Sequence, residues 1–132
     1  GEPGSGHEIA VDGPPEAGGN NAGARPMELV LTGLGACAAF DVLFILKKSR
    51  QKVVDFRAEL EAERAEGIPK VFKRIHIHFV IEGVGIKASA VQRAIHLSTT
   101  KYCSATIMLQ GSVDITHDFE IVETAGNSVP PN

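Results

Sequence analysis

Pro26-Met27-Glu28-Leu29-Val30-Leu31-Thr32-Gly33-Leu34-Gly35-Ala36-Cys37-Ala38-Ala39-Phe40-Asp41-Val42-Leu43-Phe44-Ile45-Leu46-Lys47-Lys48 is the stretch on which the fold turns. Proline suits a first helical turn, because its missing N–H would have no partner there anyway. No further proline follows until the run has ended, so the pattern predicts one helix from Met27 to about Arg50, about 36 Å long at 1.5 Å per residue. Lys47, Lys48 and Arg50 at its end suit the negative pole of the helix dipole. From Leu29 to Leu46 the run is apolar nearly all round, the pattern of a helix buried on most faces. Gly33 and Gly35 each cost about 1 kcal/mol relative to alanine inside a helix, and close approach of another helix is the expected compensation. Asp41 is the odd member of this run. It caps another backbone, pairs across a dimer or faces a wet cavity.

Outward from this helix the elements follow by period. His7 to Asp12 reads as a short strand, and Gly13 to Arg25, rich in Gly, Pro and Asn, as a loop. Val53 to Glu63 alternates, with Val54, Phe56, Ala58, Leu60 and Ala62 on one face and charged residues on the other. After the turn at Gly67-Ile68-Pro69 a second run puts Ile75, Ile77, Phe79 and Ile81 inward and Arg74, His76, His78 and Glu82 outward. The two runs predict an antiparallel hairpin with one wet face. Gly83 and Gly85 end it. Lys87 to Thr100 fits a helix with Val91, Ala94, Ile95 and Ser98 on one stripe. Tyr102 to Leu109 reads as a second helical piece carrying Cys103, and Val113 to Val122 as a last strand with His117 on its inward face. The order is that of an α+β domain, an antiparallel sheet with helices on one side. Residues 1–132 read as one domain, with 1–6 and 124–132 flexible. The Met27–Arg50 helix carries more apolar surface than one sheet face can bury, and the surplus predicts a homodimer with this helix near its core.

Composition limits the function classes. The net charge is −3 and no basic stripe is present, so the footprint of a nucleic-acid binder is missing. No apolar run reaches the ~20 residues of a membrane span, and no membrane partner is expected. Two cysteines do not make a secreted disulfide framework, so a reducing, cytoplasmic setting is expected.

Cys37 and Cys103 are the whole thiol content. A free cysteine is ordinarily a small buried hydrophobe. Two features favour chemistry instead. Cys37 lies among glycines and alanines, which leave room for a small reagent, and Cys103 lies beside Lys101 and Tyr102, which could polarise a thiol. The two are far apart in sequence, so any pairing is tertiary. A reactive cysteine needs help to ionise, since its free pKa is about 8.5. Cys37 lies about three turns into the helix, too deep for the dipole to help. Asp41, at i+4, would raise the thiol pKa. Glu28 lies about 180° around an ideal helix from Cys37, by the 100° step, and Arg25 about 18 Å away along it. His76 and His78 at i, i+2 have a spacing that can bind a metal, but no neighbouring cysteine or carboxylate completes a set, and a solvated strand face is the simpler reading. His117 reads as a satisfied core histidine. Gly83-Val84-Gly85 is a turn rather than a nucleotide loop. No cofactor and no metal is expected.

The string Arg25 to Cys37 resembles the P-x-E-x-L-x-x-(small)-x-x-A-C helix of the OsmC/Ohr family. Asp41-Val42, Ile45-Leu46-Lys47-Lys48 and Lys101-Tyr102-Cys103-Ser104 resemble its OsmC-like branch. The likeness covers nearly the whole chain, and the family's opening strand would precede Gly1. The resemblance implies an intertwined homodimer that reduces organic hydroperoxides. Cys37 would attack the O–O bond and become a sulfenic acid; Cys103 would resolve it as a disulfide; a small dithiol of the dihydrolipoyl type would reduce that. The hydroperoxide-resistance members place a glutamate directly after the proline, where this chain has Met27, and an arginine in an N-terminal strand or turn, whereas residues 1–24 contain none. Glu28 and Arg25 are the candidate substitutes. The alternative functions are a non-enzymatic dimer that binds a small apolar ligand, and a redox sensor.

Overall fold

The computed structural model describes residues 1–124; the expectation of a loose tail falls, after Thr124, outside the described residues. The chain forms two compact units, Gly1–Gly33 and Leu34 onward.

The first unit is organised by one carboxylate. Asp12 accepts N–H groups from Gly13, Asn20 and Ala22 at 2.8–3.1 Å, and these bonds hold its carboxyl below the usual carboxylate range. A short 3₁₀ turn, Pro15–Ala17, closes on Gly18 with φ +90°, a conformation glycine adopts without steric cost. The expected strand His7–Asp12 is absent. Only Val11 bridges, to Ala24; Asp12 draws the chain into the loop instead of onward into a ladder. The unit ends in the first turns of α1 (Pro26–Lys48), where the Glu28 carboxylate accepts the Arg25 backbone N–H at 2.8 Å, half of a capping box.

The second unit holds the sheet. Its elements are β1 (Lys52–Arg64), β2 (Phe72–Val84), α2 (Ala88–Leu97), a π turn (Ser98–Tyr102), α3 (Ser104–Leu109) and β3 (Asp114–Glu123). The strand order is β1-β2-β3. β1 and β2 form the expected antiparallel hairpin, but β3 runs parallel to β2, so the sheet is mixed and not antiparallel. The cause is the connection: the helical segment between β2 and β3 carries the chain back to the starting end, as crossovers do. Ile75, Ile77, Phe79 and Ile81 of β2 are fully buried, with Phe56 of β1 against Phe79 at 6.0 Å between ring centroids. A register shift between Val53 and Asp55 turns Val54 outward, 61% exposed, against the alternation read from sequence; an extra residue in one strand flips everything beyond it. His117, expected in the core, is exposed, because β3 is the edge strand. The stripe Val91, Ala94 and Ile95 of α2, continued by Ser98 of the π turn, is buried.

α1 buries one stripe, Leu34, Gly35, Ala38, Val42 and Leu46. It meets a strand, not the expected helix, at its glycine: a Cβ on Gly35 would stand 2.5 Å from Leu60 Cδ1. Phe40 and Phe44 are 74% and 58% exposed, so the helix is not buried on most of its faces within one chain. One exclusion drawn from sequence fails here. α1 is long and apolar enough to cross a membrane by length and composition, with an 18-residue window of mean hydropathy 2.2, because its few polar residues barely lower the average. Its buried stripe and its contact with Leu60 are those of a helix packed on a sheet.

Candidate functional site

Three acidic side chains of the second unit converge. Cys37 lies in α1, half-buried, and Asp41 follows one turn later, at the i+4 spacing that puts both on one helix face. Cys103 comes from the junction of the π turn with α3, where it is the residue before the helix. One carboxylate oxygen of Asp41 and the two sulfurs all lie within 4.8 Å of one another. Both cysteines are free thiols, Cys103 buried and Cys37 half-exposed.

The local backbone explains how Cys103 gets there. After α2 the chain widens into the π turn, which ends with the Cys103 N–H donating to Ser98 O at 2.7 Å. Such widened turns recur at functional sites. Cys103 then turns extended (φ −77°, ψ 101°), and its sulfur accepts the Thr106 N–H at 3.4 Å and the Thr106 hydroxyl at 3.1 Å. Thr106, which sequence reasoning passed over, is therefore the group that contacts this thiol. Its signal was the Cys-x-x-Thr spacing at a helix start, the offset at which an N-cap side chain meets the third helical residue. Lys101 and Tyr102, expected to polarise the thiol, are exposed, with Lys101 Nζ 5.3 Å from the Tyr102 ring centroid.

Burial pushes the Cys103 thiol above its ordinary value; the Thr106 bonds act against that, and the neighbouring Cys37 adds to it. Burial also raises the Asp41 carboxyl. Asp41 Oδ2 is buried with no hydrogen-bond partner among the described residues, an arrangement that costs about 1–3 kcal/mol and asks for an explanation. Asp41 also lines an open cavity of about 600 Å³, with Phe40, Phe44, Leu97 and Tyr102 as apolar walls and Lys48 and Arg93 as cationic members.

Arg25 and Glu28 belong to the first unit. There Glu28 caps the Arg25 N–H, and the Arg25 guanidinium donates to Asn21 Oδ1 at 2.8 Å.

His76 and His78 do have carboxylate neighbours, against the sequence reading. The parallel register sets Thr116 beside His76 and Asp118 beside His78. His76 bonds Thr116 Oγ1 (2.7 Å) and Asp118 Oδ1 (2.9 Å). His78 bonds Asp118 Oδ1 (2.7 Å) and Glu120 Oε1 (3.0 Å). These partners lie some forty positions away in sequence, so no local pattern could announce them.

Known proteins share this architecture. A family model described as OsmC-like protein matches residues 18–118. Protein YhfA of Escherichia coli K12 is 46% identical over 125 residues, covering 92% of this chain and 88% of YhfA. The crystal structure of a hypothetical protein from Aquifex aeolicus VF5 is 37% identical at a TM-score of 0.75, covering 80% of this chain and 79% of that one. An organic hydroperoxide resistance protein OsmC from Legionella pneumophila, 17% identical, has the same fold at a TM-score of 0.63, over 92% of this chain and 85% of its own. By the extent of the family match and the level of these identities, the chain belongs to the OsmC-like protein family.

Proposed function

We propose that this protein reduces organic hydroperoxides by thiol chemistry, with Cys37 as the attacking thiolate and Cys103 as the resolving thiol. The observation that carries the reading is the approach of the two sulfurs to within 4.8 Å of each other in one site. Cys37 is the more accessible of the two, which suits it to meet the peroxide first. Its thiolate attacks one peroxide oxygen, the O–O bond breaks, and the alkoxide takes a proton and leaves as the alcohol. The Cys37 sulfenic acid then reacts with Cys103, releasing water and forming the disulfide. A dithiol of the dihydrolipoyl type returns both sulfurs to thiols. The name of the Legionella protein, which shares the fold, agrees with this class of substrate. Arg25 and Glu28 have their own local partners, so we assign them to shaping the start of α1 and not to activating Cys37.

The same proposal includes a homodimer. The exposed Phe40 and Phe44 lie one helical turn apart on α1, an apolar patch that a second copy of the chain would cover. Phe44→Asp should shift the species seen by light scattering toward the monomer.

The test of the chemistry is hydroperoxide consumption with a dithiol reductant by wild type and Cys37→Ser. Turnover by wild type that the variant lacks supports the reading; equal rates end it. A second reading, storage or transport of a small amphiphile, is favoured by the 600 Å³ cavity beside Asp41. Co-purified ligand in native mass spectra, with both thiols inert to hydroperoxide, would select it.

A further inference from the structure

We infer that reduced Cys37, Asp41 and Cys103 together form a binding site for a thiophilic divalent cation of the zinc type.

The argument starts from donor geometry. In a tetrahedral zinc site with bonds of ~2.0–2.3 Å, the ligand atoms stand about 3.4–3.8 Å apart. Here two sulfurs and a carboxylate oxygen already lie within 4.8 Å of one another, so closing around an ion asks each side chain to move by roughly an ångström or less. Cys37 and Asp41 are offered at i, i+4 from one turn of α1, a rigid pair of donors. Cys103 arrives on a different element, held by its N–H bond to Ser98 O and by Thr106. Thr106 also supplies the supporting contact that metal ligands need for fixed orientation.

A second observation, independent of the cysteines, points the same way. Asp41 Oδ2 is buried without a hydrogen-bond partner among the described residues. No lysine, arginine or histidine pairs with Asp41 among the ion pairs of the described residues. Among the described residues Asp41 is thus in no ion pair, Lys48 and Arg93 only lining the same cavity, and a divalent ion would join the carboxylate and both sulfurs. Two thiolates and one carboxylate select a borderline-soft ion over magnesium or calcium, which take all-oxygen sets. Three protein donors leave a fourth tetrahedral position open, and Asp41 borders the cavity from which it could be reached. The histidine–carboxylate ladder on the sheet is a rival ligand set, but its ring nitrogens are already bonded.

This inference goes beyond the peroxidase reading and does not rest on it. Its test uses the reduced, chelator-stripped full chain under anaerobic conditions. Cobalt(II) titration should give sulfur-to-metal charge-transfer absorption that saturates at one ion per chain and is displaced by zinc. Zinc should also protect both thiols of the wild type from a thiol-labelling reagent, a readout that needs no variant. Cys37→Ser should abolish the charge-transfer signal. Asp41→Asn, shown to be folded by circular dichroism, should weaken binding more than about tenfold, the lower end of the effect of losing even a ligand's supporting partner. The double variant His76→Ala, His78→Ala should leave the signal intact. Freely labelled thiols at saturating zinc, a signal that survives Cys37→Ser, or one lost with the two histidines would each overturn the inference. Hydroperoxide turnover by the metal-free protein is scored separately, so either proposal can fail while the other stands.

Discussion

Two of the clusters of titratable side chains among the described residues are built on opposite terms. On the exposed sheet face, His76 and His78 share the Asp118 carboxylate, and Thr116 and Glu120 take up their other nitrogens. Each imidazole there meets a carboxylate, and water reaches most of it. Where α1 faces Cys103, two thiols and a carboxyl lie within 4.8 Å, partly or fully buried, and one carboxylate oxygen has no hydrogen-bond partner among the described residues. The ladder is a paired arrangement that needs nothing further. The thiol cluster is incomplete as a structure, and incompleteness inside a fold is where a ligand or a reaction belongs.

The largest effect should come from testing that contrast directly in turnover. Cys37→Ser should lower hydroperoxide consumption by at least about a hundredfold, since it removes the nucleophile itself. His78→Ala, at the centre of the other cluster, should leave the rate unchanged. A comparable loss in both would mean that the ladder contributes to the chemistry and that the distinction is wrong.

The second test separates burial from charge along a single strand. Ile77 lies between His76 and His78 but faces inward and is fully buried. Ile77→Ala should lower unfolding stability by about 2–5 kcal/mol, the lost transfer energy plus the cavity left behind. Alanine at His78 should cost far less in the same denaturant titration. If the two changes cost alike, the ladder is structural rather than a solvated surface feature.

The third test acts on the helix that carries Cys37. A Cβ at Gly35 would meet Leu60 Cδ1 at 2.5 Å, closer than real side chains pack. Leu60 Cδ1 is the far end of a half-exposed side chain that can turn aside, so the overpacking is largely offset by alanine's advantage of about 1 kcal/mol as a helix former, and Gly35→Ala should cost about 1 kcal/mol or less. Leu60→Ala in the same chain should restore part of the loss. Because Gly35 is two residues before Cys37, thiol labelling rates should change with it, while the histidine resonances of the ladder should not.

How much of this could be read from the chain follows from the range of the interactions. α1, the hairpin and the stripe of α2 were legible because their signals are local: a long proline-free run for α1, Val91, Ala94 and Ile95 repeating with the helix in α2, and Ile75, Ile77, Phe79 and Ile81 repeating with the strand; which face of α1 is buried was not, because the run is apolar nearly all round. The direction of β3 was not, since Asp114–Glu123 alternates identically in either orientation and only the crossover decides. Val54 was misplaced because a bulge leaves no mark in an alternating run. His117 was misplaced because alternation gives the face of a strand and not what covers it. At the site, both cysteines and the oddness of Asp41 were visible as residues out of keeping with their surroundings. Their convergence was not, and neither was Asp118 beside His78, because both depend on contacts between distant segments.

The smallest expected effect lies in the ladder's response to pH, and it probes the other half of the comparison. Hydrogen bonds to Glu120 and Asp118 hold the His78 imidazolium above the ordinary histidine range. His78 and His76 in turn hold the Asp118 carboxyl below the usual carboxylate range. Glu59 stands opposite His78 on β1, a further carboxylate on the same face. A raised histidine contributes stability that is complete below its unfolded pKa of about 6.5 and fades as pH rises through the higher folded value. A lowered aspartate contributes stability that is complete above its unfolded pKa of about 3.9 and fades as pH falls through the lower folded value. Both contributions are therefore present together between about pH 4 and 6.5. The melting temperature of wild type should exceed that of Asp118→Asn most within this window, and the gap should close as pH rises through the folded pKa of His78. Exposed pairs are weak and are screened by salt, so the gap should also shrink at high ionic strength. A gap that ignores both pH and salt would mean that Asp118 acts through packing, and the two clusters would then differ in exposure alone rather than in how their charges are met.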